Sequence, residues 1–385
     1  NRMKIYKKDN VLDAALKRMR YLFDEFPNII VSFSGGKDST VCLNLALQVA
    51  EEKGRLPLKV CFVDQEAEWQ TVIDYLERVM TDTRVEPMWF QMPIKIFNST
   101  STIESWLMCW EEGDEWMRER WPGAKTENHY GTDRFAEMFT KILEIDFADQ
   151  KTCYIAGVRC EESSTRFMGL TSFATYKAIT WGKALNKNLE HYTFYPLYDW
   201  SYTDIWKAIH DNHWDYCQIY DYMYQHGVKV QNMRVSNVHH ETAVQSLFYL
   251  QEIEGDTWNK LTKRIAGIST AGHMPGESFF VPKELPYMFS DWKEYRDYLT
   301  VNILTDEAVR VKFQAKFIEM DKKYNGIRSS TDMYKNQINS LLTNDYHFTK
   351  LNNWEHRPDV NSWRKFQKGI KHPLNSTNKY IVGDE

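Results

Sequence analysis

Ser32-Phe33-Ser34-Gly35-Gly36-Lys37-Asp38-Ser39-Thr40 stands between two kinds of periodicity, and that placement decides the fold. Ahead of it, Asn28 to Phe33 is a short β-branched run, too short for a helix and ending in a glycine turn, which reads as a buried strand. Behind it, Ser39 to Glu52 carries Val41, Leu43, Leu45, Ala46, Val49 and Ala50, apolar around most of a helix's girth, with Gly54 placed to end it. Strand, glycine turn and buried helix make the opening half of a βαβ unit. In that context backbone N–H groups and a helix N-terminus bind phosphate. Gly35 and Gly36 let the chain approach phosphate oxygens without Cβ clashes. Ser32, Ser34, Ser39 and Thr40 add hydroxyl donors, Lys37 a point charge, and Asp38 either a magnesium contact or a bond that fixes the loop. Lys37 and Asp38 are expected to project from an exposed turn.

The loop is not a Walker A motif, which needs a further Gly upstream of its Gly-Lys and a Ser or Thr directly after the Lys, where this chain has Asp38. That disfavours γ-phosphate chemistry of the GTPase or kinase kind. Nor is there a GxGxxG fingerprint for a dinucleotide.

Outward from the loop the pattern repeats. Leu12, Ala15, Leu16, Met19, Leu22, Phe23 and Phe26 mark an amphipathic helix that Asn10 can cap and Pro27 closes. Leu58 to Val63 reads as a second buried strand ending at Asp64, followed by a helix marked by Val72, Ile73, Leu76 and Val79, and Met88 to Met92 as a third strand. Thr102 to Asp149 reads as helical and rich in Trp and charge, and Thr152 to Val158 as another strand running into Arg159. Alternation of this kind predicts an α/β fold with a doubly wound, mostly parallel sheet. Ser34, Asp64 and Arg159 then each sit at the carboxyl end of a strand, the edge where open α/β sheets place ligands. Asp204 to His210 reads as a short helix, Ser290 to Leu342 as a helical region, and the tail from Thr343 as polar and poor in periodicity. We therefore expect a nucleotide-binding domain over 4–275, a helical C-terminal domain over 276–345 and a locally basic tail over 346–385.

The bulk numbers bound the partners. A formal net charge of -5 argues against nucleic-acid binding by the whole surface but permits a local patch. Residues 354–371 supply one candidate, with Arg357, Arg364, Lys365, Lys368 and Lys371 among Trp354, Trp363 and Phe366; the competing reading is a solvated docking helix. The six cysteines, Cys42, Cys61, Cys109, Cys153, Cys160 and Cys217, include no CxxC pair, so reduced and mostly buried thiols are expected, without a zinc or iron–sulfur site. His239-His240-Glu241 is a weak metal signal, because adjacent His residues on a helix point apart. No apolar run is long enough to span a bilayer, and a cytoplasmic location is expected.

Ser34-Gly35-Gly36-Lys37-Asp38-Ser39 resembles the Ser-Gly-Gly-x-Asp-Ser signature of the PP-loop ATP pyrophosphatases and the phosphoadenosine-phosphosulfate (PAPS) reductase group, the adenine nucleotide α-hydrolase-like (HUP-type) superfamily. Three more segments fit the sulfonucleotide branch. Val63-Asp64-Gln65-Glu66 stands where that branch has an acidic residue; Gly157-Val158-Arg159-Cys160-Glu161-Glu162-Ser163-Ser164-Thr165-Arg166 is similar to its Gly-x-Arg-x-x-Glu-Ser-x-x-Arg segment; Tyr195-Pro196-Leu197-Tyr198-Asp199-Trp200-Ser201 resembles its Pro-Leu-x-Asp-Trp stretch. The resemblance covers about residues 10 to 240.

It implies an adenine-nucleotide site holding ATP or PAPS with Mg2+. Ser32, Ser34, Gly35, Gly36, Lys37, Asp38, Ser39, Thr40, Asp64, Glu66, Arg159, Ser163 and Arg166 would contact the ligand, with Lys37, Asp38 and Arg159 acting in catalysis and Asp38 touching the magnesium. Arg159 and Arg166 would clamp phosphate or sulfate oxygens, unless they are ion pairs with Glu161 and Glu162. Asp64 and Glu66 would contact adenosine or magnesium, or simply supply helix N-terminal charge.

The departures matter as well. The reductases' Glu-Cys-Gly-x-His segment does not occur, and Cys160 is either a reactive thiol or an inert one. Within the superfamily the chain looks most like IbrA-type proteins, described as coactivators of prophage gene expression and often paired with a ParB-like partner, IbrB. The expected activity is cleavage of ATP between its α and β phosphates to adenylate an acceptor. The alternatives are a PAPS-binding sulfotransferase or sensor, and a nucleotide-controlled regulatory module acting with a ParB-like partner or nucleic acid.

Overall fold

The computed structural model describes residues 8–101, 104–235, 238, 247–269 and 281–367. His239-His240-Glu241, and Lys368 and Lys371 of the basic stretch, lie outside the described residues. The chain divides into two compact units, one made of Asn1–Ile96 with Met108–Asn237 and the other of Phe97–Leu107 with Val238–Glu385. That division falls upstream of the boundary at 275 read from composition.

The first unit opens with helix α1 (Val11–Glu25), whose Asp13 N–H donates to the Asn10 side chain at 2.8 Å and whose Ala15, Met19, Leu22 and Phe23 are buried. Strand β1 (Asn28–Ser32) and helix α2 (Lys37–Glu52) follow, then β2 (Leu58–Val63), α3 (Gln70–Met80), β3 (Val85–Phe90) and two short strands, β4 (Ile94–Phe97) and β5 (Trp106–Cys109). Next come α4 (Phe135–Asp146), β6 (Thr152–Ile155), a turn of 3-10 helix at Cys160–Glu162, α5 (Ser164–Thr171), β7 (Gly182–Asn186), β8 (His191–Phe194), α6 (Tyr202–Asp211) and α7 (Ile219–Gln225).

The main sheet has six strands in the order β3-β2-β1-β6-β8-β7, parallel at every pairing except β7 with β8. The expected mostly parallel, doubly wound sheet is therefore what forms. The chain leaves β1 for β2 on one side and returns to β6 on the other, so a topological switch point lies at the carboxyl ends of β1 and β6, where the loop at 33–36 and the segment at 156–159 emerge. Pro87 is tolerated because β3 is an edge strand.

One expectation fails inside this unit. The described residues of 102–149 hold one helix, α4, rather than a helical run, because N–H groups of the intervening stretch bond elsewhere. Trp110 and Met117 donate to the Glu66 carboxylate (2.8 and 3.2 Å), Trp121 to Gln91 Oε1 (2.6 Å) and Lys125 to the Trp89 carbonyl (2.7 Å). Tertiary bonding overrides local propensity there.

The second unit is helical: Leu247–Ile253, Gly255–Arg264, Trp292–Ile303, Glu307–Lys323, Ser330–Leu342, Thr349–Glu355 and Pro358–Gln367. Phe313, Phe317, Met320, Tyr324, Leu341 and Trp354 are among its core residues. Among the described residues the tail thus holds helices at Thr349–Glu355 and Pro358–Gln367, where the sequence showed little periodicity, and Leu351, Trp354, Val360 and Trp363 are buried. Trp354 and Trp363 belong to this core, and Trp354 Nε1 donates to Asp332 (2.9 Å), so of the aromatic residues in the basic stretch it is Phe366 that is exposed. No helix among the described residues is long and apolar enough to cross a membrane.

Candidate phosphate-binding site

The loop after β1 is folded by its own side chains. Ser39 Oγ donates to the Gly36 carbonyl (2.8 Å), receives the Ser34 N–H (3.3 Å) and stands 3.2 Å from Ser34 Oγ. Gly35 takes φ +72°, and a Cβ there would lie 3.0 Å from Val72 Cγ1, so both the left-handed turn and the close approach of α3 require glycine. Helix α2 starts two residues before the expected Ser39, with Gly36 as N-cap and no side-chain cap. The Lys37 N–H is taken by the Tyr220 hydroxyl at 2.9 Å, whereas the N–H groups of Gly35, Gly36, Asp38 and Ser39 meet no acceptor among the described residues. Donors without an acceptor among the described residues, at the positive end of a 16-residue helix, are the kind of group that favours an anion.

Lys37 does not project into solvent. It is 6% exposed, its Nζ donates to the Met233 carbonyl (3.2 Å) and lies 3.2 Å from Asp38 Oδ2, with the Tyr220 ring centroid at 5.5 Å. Burial lowers its pKa against the opposing pull of Asp38. The exposed-turn expectation fails because the start of α2 is covered by Tyr220 of α7 and by the segment that follows that helix.

Asp38 joins Lys37 to Arg159, whose Nε donates to Asp38 Oδ1 at 2.5 Å. Arg159 is itself 5% exposed, and its Nη1 bonds Glu161 (3.0 Å) and the Trp200 carbonyl (3.4 Å). Of the two roles open to Asp38, the structure displays the loop-fixing bond. A carboxylate held by two cations does not fit a protein-held magnesium ion, and no group of three or more His, Cys, Asp or Glu capable of holding a metal occurs among the described residues.

Gly157 brings the β6 segment against α2, since a Cβ on it would lie 2.7 Å from the Asp38 carbonyl oxygen. Two residues on, the Arg159 N–H donates to Glu162 Oε1 (2.8 Å), and the other Glu162 oxygen pairs with Arg166 Nη1. Ser163 Oγ accepts the Arg166 N–H (3.1 Å) and caps α5. Arg159 and Arg166 therefore both carry the ion pairs that competed with the phosphate-clamp reading. The Pro-Leu-x-Asp-Trp stretch supports Arg159 from behind. Its Trp200 carbonyl receives Arg159, Trp200 Nε1 donates to Val11 O (3.1 Å), and Asp199 takes a bidentate pair from Arg18 (2.8 and 2.6 Å).

Other sequence-picked residues face inward. The Asp64 carboxylate, fully buried, accepts from Trp89 Nε1 (2.9 Å), Gln91 Nε2 (3.0 Å) and Arg118 (2.6 and 2.5 Å). Glu66, also fully buried and at φ 63°, holds the backbone of Trp110 and Met117. Both carboxylates thus organise the loop at 110–121. Thr40 is buried against Tyr75 Oη (3.0 Å), and Ser32 is half-buried at the end of β1. Cys160 is half-buried and the other five cysteines are buried and unbridged. Residues missed in the sequence are Tyr220, Met233, Arg118 and Glu68, since contacts between residues 183 and 196 positions apart, as for Tyr220 and Met233 with Lys37, leave no local pattern.

A family model described as the phosphoadenosine phosphosulfate reductase domain matches residues 28–226, and one described as a domain of unknown function (DUF3440) matches 227–372. YbdN of Escherichia coli (strain K12) is 31% identical over 368 residues, 88% of this chain and 89% of that protein. Among solved structures, Candida glabrata FMN adenylyltransferase with FMN and the ATP analogue AMPCPP gives a TM-score of 0.37 at 17% identity, covering 61% of this chain and 68% of that one. The PAPS reductase of Candida auris, a phosphate complex, gives 0.31 at 12% identity, covering 62% and 98%. Likenesses at this level carry no argument about ligand or reaction.

Proposed function

Because the chain belongs to the phosphoadenosine phosphosulfate reductase domain family, we propose that its glycine loop seats the phosphates of an adenine nucleotide and that the protein cleaves ATP between the α and β phosphates. An acceptor oxygen bonds to the α-phosphorus as the bond from that phosphorus to the bridging oxygen breaks. Pyrophosphate leaves with the electron pair, and the acceptor's proton passes to solvent. The observation that carries the reading is the set of unpartnered N–H groups on Gly35, Gly36, Asp38 and Ser39 at the start of α2, beside Lys37 and Arg159. Donors already aimed at developing phosphate charge are the main requirement of such a step.

Three of the six thiols are poorly suited to reductive chemistry. Burial pushes Cys42 and Cys61 up to about 12 and raises Cys153 well above its ordinary value, leaving each a poor thiolate nucleophile. An IbrA-type protein working with a ParB-like partner would use the same site with slow turnover.

Calorimetric titration with ATP, adenosine 5'-phosphosulfate and PAPS, with and without magnesium, followed by a pyrophosphate-release assay, tests the proposal. ATP binding with pyrophosphate release is the expected result. Selective PAPS binding without release would replace it with sulfonucleotide recognition, and binding of none of the three would overturn it.

A further inference from the structure

The cations around the loop differ in one respect. Arg159 is paired with Asp38 and Glu161, Arg166 with Glu162, and Lys37 with Asp38. Arg234 is exposed and has no acidic partner among the described residues. The Met233 carbonyl accepts Lys37 Nζ at 3.2 Å, which holds the residue before Arg234 against the start of α2. Its charge is felt at both Lys37 and Arg166. Lys37, Arg159, Arg166 and Arg234 thus outnumber Asp38, Glu161 and Glu162, which leaves a surplus of positive charge that favours an anion. Arg234 also lies beyond the 28–226 match to the reductase domain, so it is an addition that the adjoining segment makes to the loop.

We infer that Arg234, together with Arg166, forms a second anion subsite beside the glycine loop, which takes a further phosphoryl or sulfuryl group of the nucleotide whose first phosphate sits on the loop N–H groups. The inference rests on the nucleotide reading proposed above and deepens it. Two guanidinium groups suit planar, bidentate contact with tetrahedral anion oxygens, whereas a lysine offers a single point charge. The second group is either the next phosphate of a polyphosphate chain or a 3'-phosphate on the ribose, and these are separable.

The test titrates the full chain and its Arg234→Ala and Arg234→Lys variants with AMP, ADP, ATP, adenosine 5'-phosphosulfate, PAPS and inorganic pyrophosphate. Because Arg234 is exposed and has no acidic partner among the described residues, the thermal midpoint is expected to stay at the wild-type value. Arg234→Ala leaves AMP affinity within about twofold and weakens the ligand that reaches the subsite by roughly 10- to 100-fold, with Arg234→Lys between the two. Loss of the ADP-over-AMP preference assigns the subsite to the polyphosphate chain; loss of the PAPS-over-adenosine 5'-phosphosulfate preference assigns it to the 3'-phosphate. Equal weakening of every ligand including AMP, or no weakening of any, overturns the inference. Should the wild type bind pyrophosphate but no nucleotide, the nucleotide reading fails while a tenfold loss of pyrophosphate binding in Arg234→Ala still upholds the subsite; unchanged pyrophosphate binding in that case sinks both.

Discussion

Replacing Gly157 by Ala probes the joint on which the site depends. The added Cβ would lie 2.7 Å from the Asp38 carbonyl oxygen, 2.8 Å from its carbon and 3.0 Å from the Ser39 nitrogen. Ordinary contact begins at 3.4 Å, so the segment after β6 and the first turn of α2 must separate by roughly 0.7 Å. All three obstructing atoms are backbone, and no flexible side chain can yield. Overpacking of this kind costs about 1–3 kcal/mol, which for a unit of this size lowers the melting midpoint by roughly 2–4 °C per kcal/mol. The separation also draws Arg159, two residues along, from the Asp38 oxygen it holds at 2.5 Å, and moves the Ser39 N–H within the phosphate seat. Losing one charge-assisted hydrogen bond to the ligand is worth about 1.5–3 kcal/mol, so ATP affinity should fall by roughly 10- to 100-fold. Differential scanning fluorimetry and calorimetric titration with ATP read the two effects, and Gly169→Ala serves as the control because its Cβ would meet nothing within 4 Å. A Gly157→Ala protein with wild-type melting and wild-type ATP affinity would refute the proposed packing.

Two further substitutions separate charge from structure. Glu68 is 7% exposed, and burial first and Asp64 second raise its carboxyl to about 8 from an ordinary 4.5, with Arg118 opposing. A raised folded-state pKa means that the native state holds its proton more tightly than the unfolded chain does, so this contribution is full below about pH 4.5 and is lost as pH rises through about 8. Glu68→Gln keeps the neutral form, and its stability advantage over the wild type should grow on the order of a few kcal/mol between pH 5 and pH 8.5 in urea melts; a pH-independent difference would count against the assignment. Glu162→Gln retains an oxygen for the Arg159 N–H, now held at 2.8 Å, but releases Arg166 from its ion pair. ATP affinity should rise by roughly two- to tenfold at low salt and less at high salt, and an unchanged or weaker affinity would show that Arg166 does not face the ligand.

Strands β1 and β2, the glycine loop and the mostly parallel character of the sheet are legible because each rests on local signals: β-branched runs of strand length at 28–33 and 58–63, and the apolar girth of α2 after a glycine pair; β4, β5, β7 and β8 carry no such signal. The orientation of the acidic residues was not. Asp64 does end a parallel strand, but what it bonds depends on Trp89, Gln91 and Arg118, and Arg118 lies 54 positions away. The same limit hid the burial of Lys37, which is set by Tyr220 and Met233. In the second unit, Leu351, Trp354, Val360 and Trp363 fall in two helices of 7 and 10 residues separated by a turn, too short for a periodicity to stand out, and tertiary packing supplies their stability.

The arrangement of charge accounts for two nearly buried cations beside one loop. Lys37 and Arg159, both nearly buried, would repel each other and pay a desolvation cost if left alone. Asp38 stands between them and bonds both, so the cations are held in place by a residue of the same loop. Its carboxylate leaves the N–H groups of Gly35, Gly36, Asp38 and Ser39 unpaired, because it points toward the arginine and lysine. On the proposed reading, an incoming phosphate would meet oriented donors without first breaking a backbone hydrogen bond, which is the preorganisation that electrostatic stabilisation needs. The geometry makes Asp38 a positioning group for two cations, and that role follows from its place between Lys37 and Arg159.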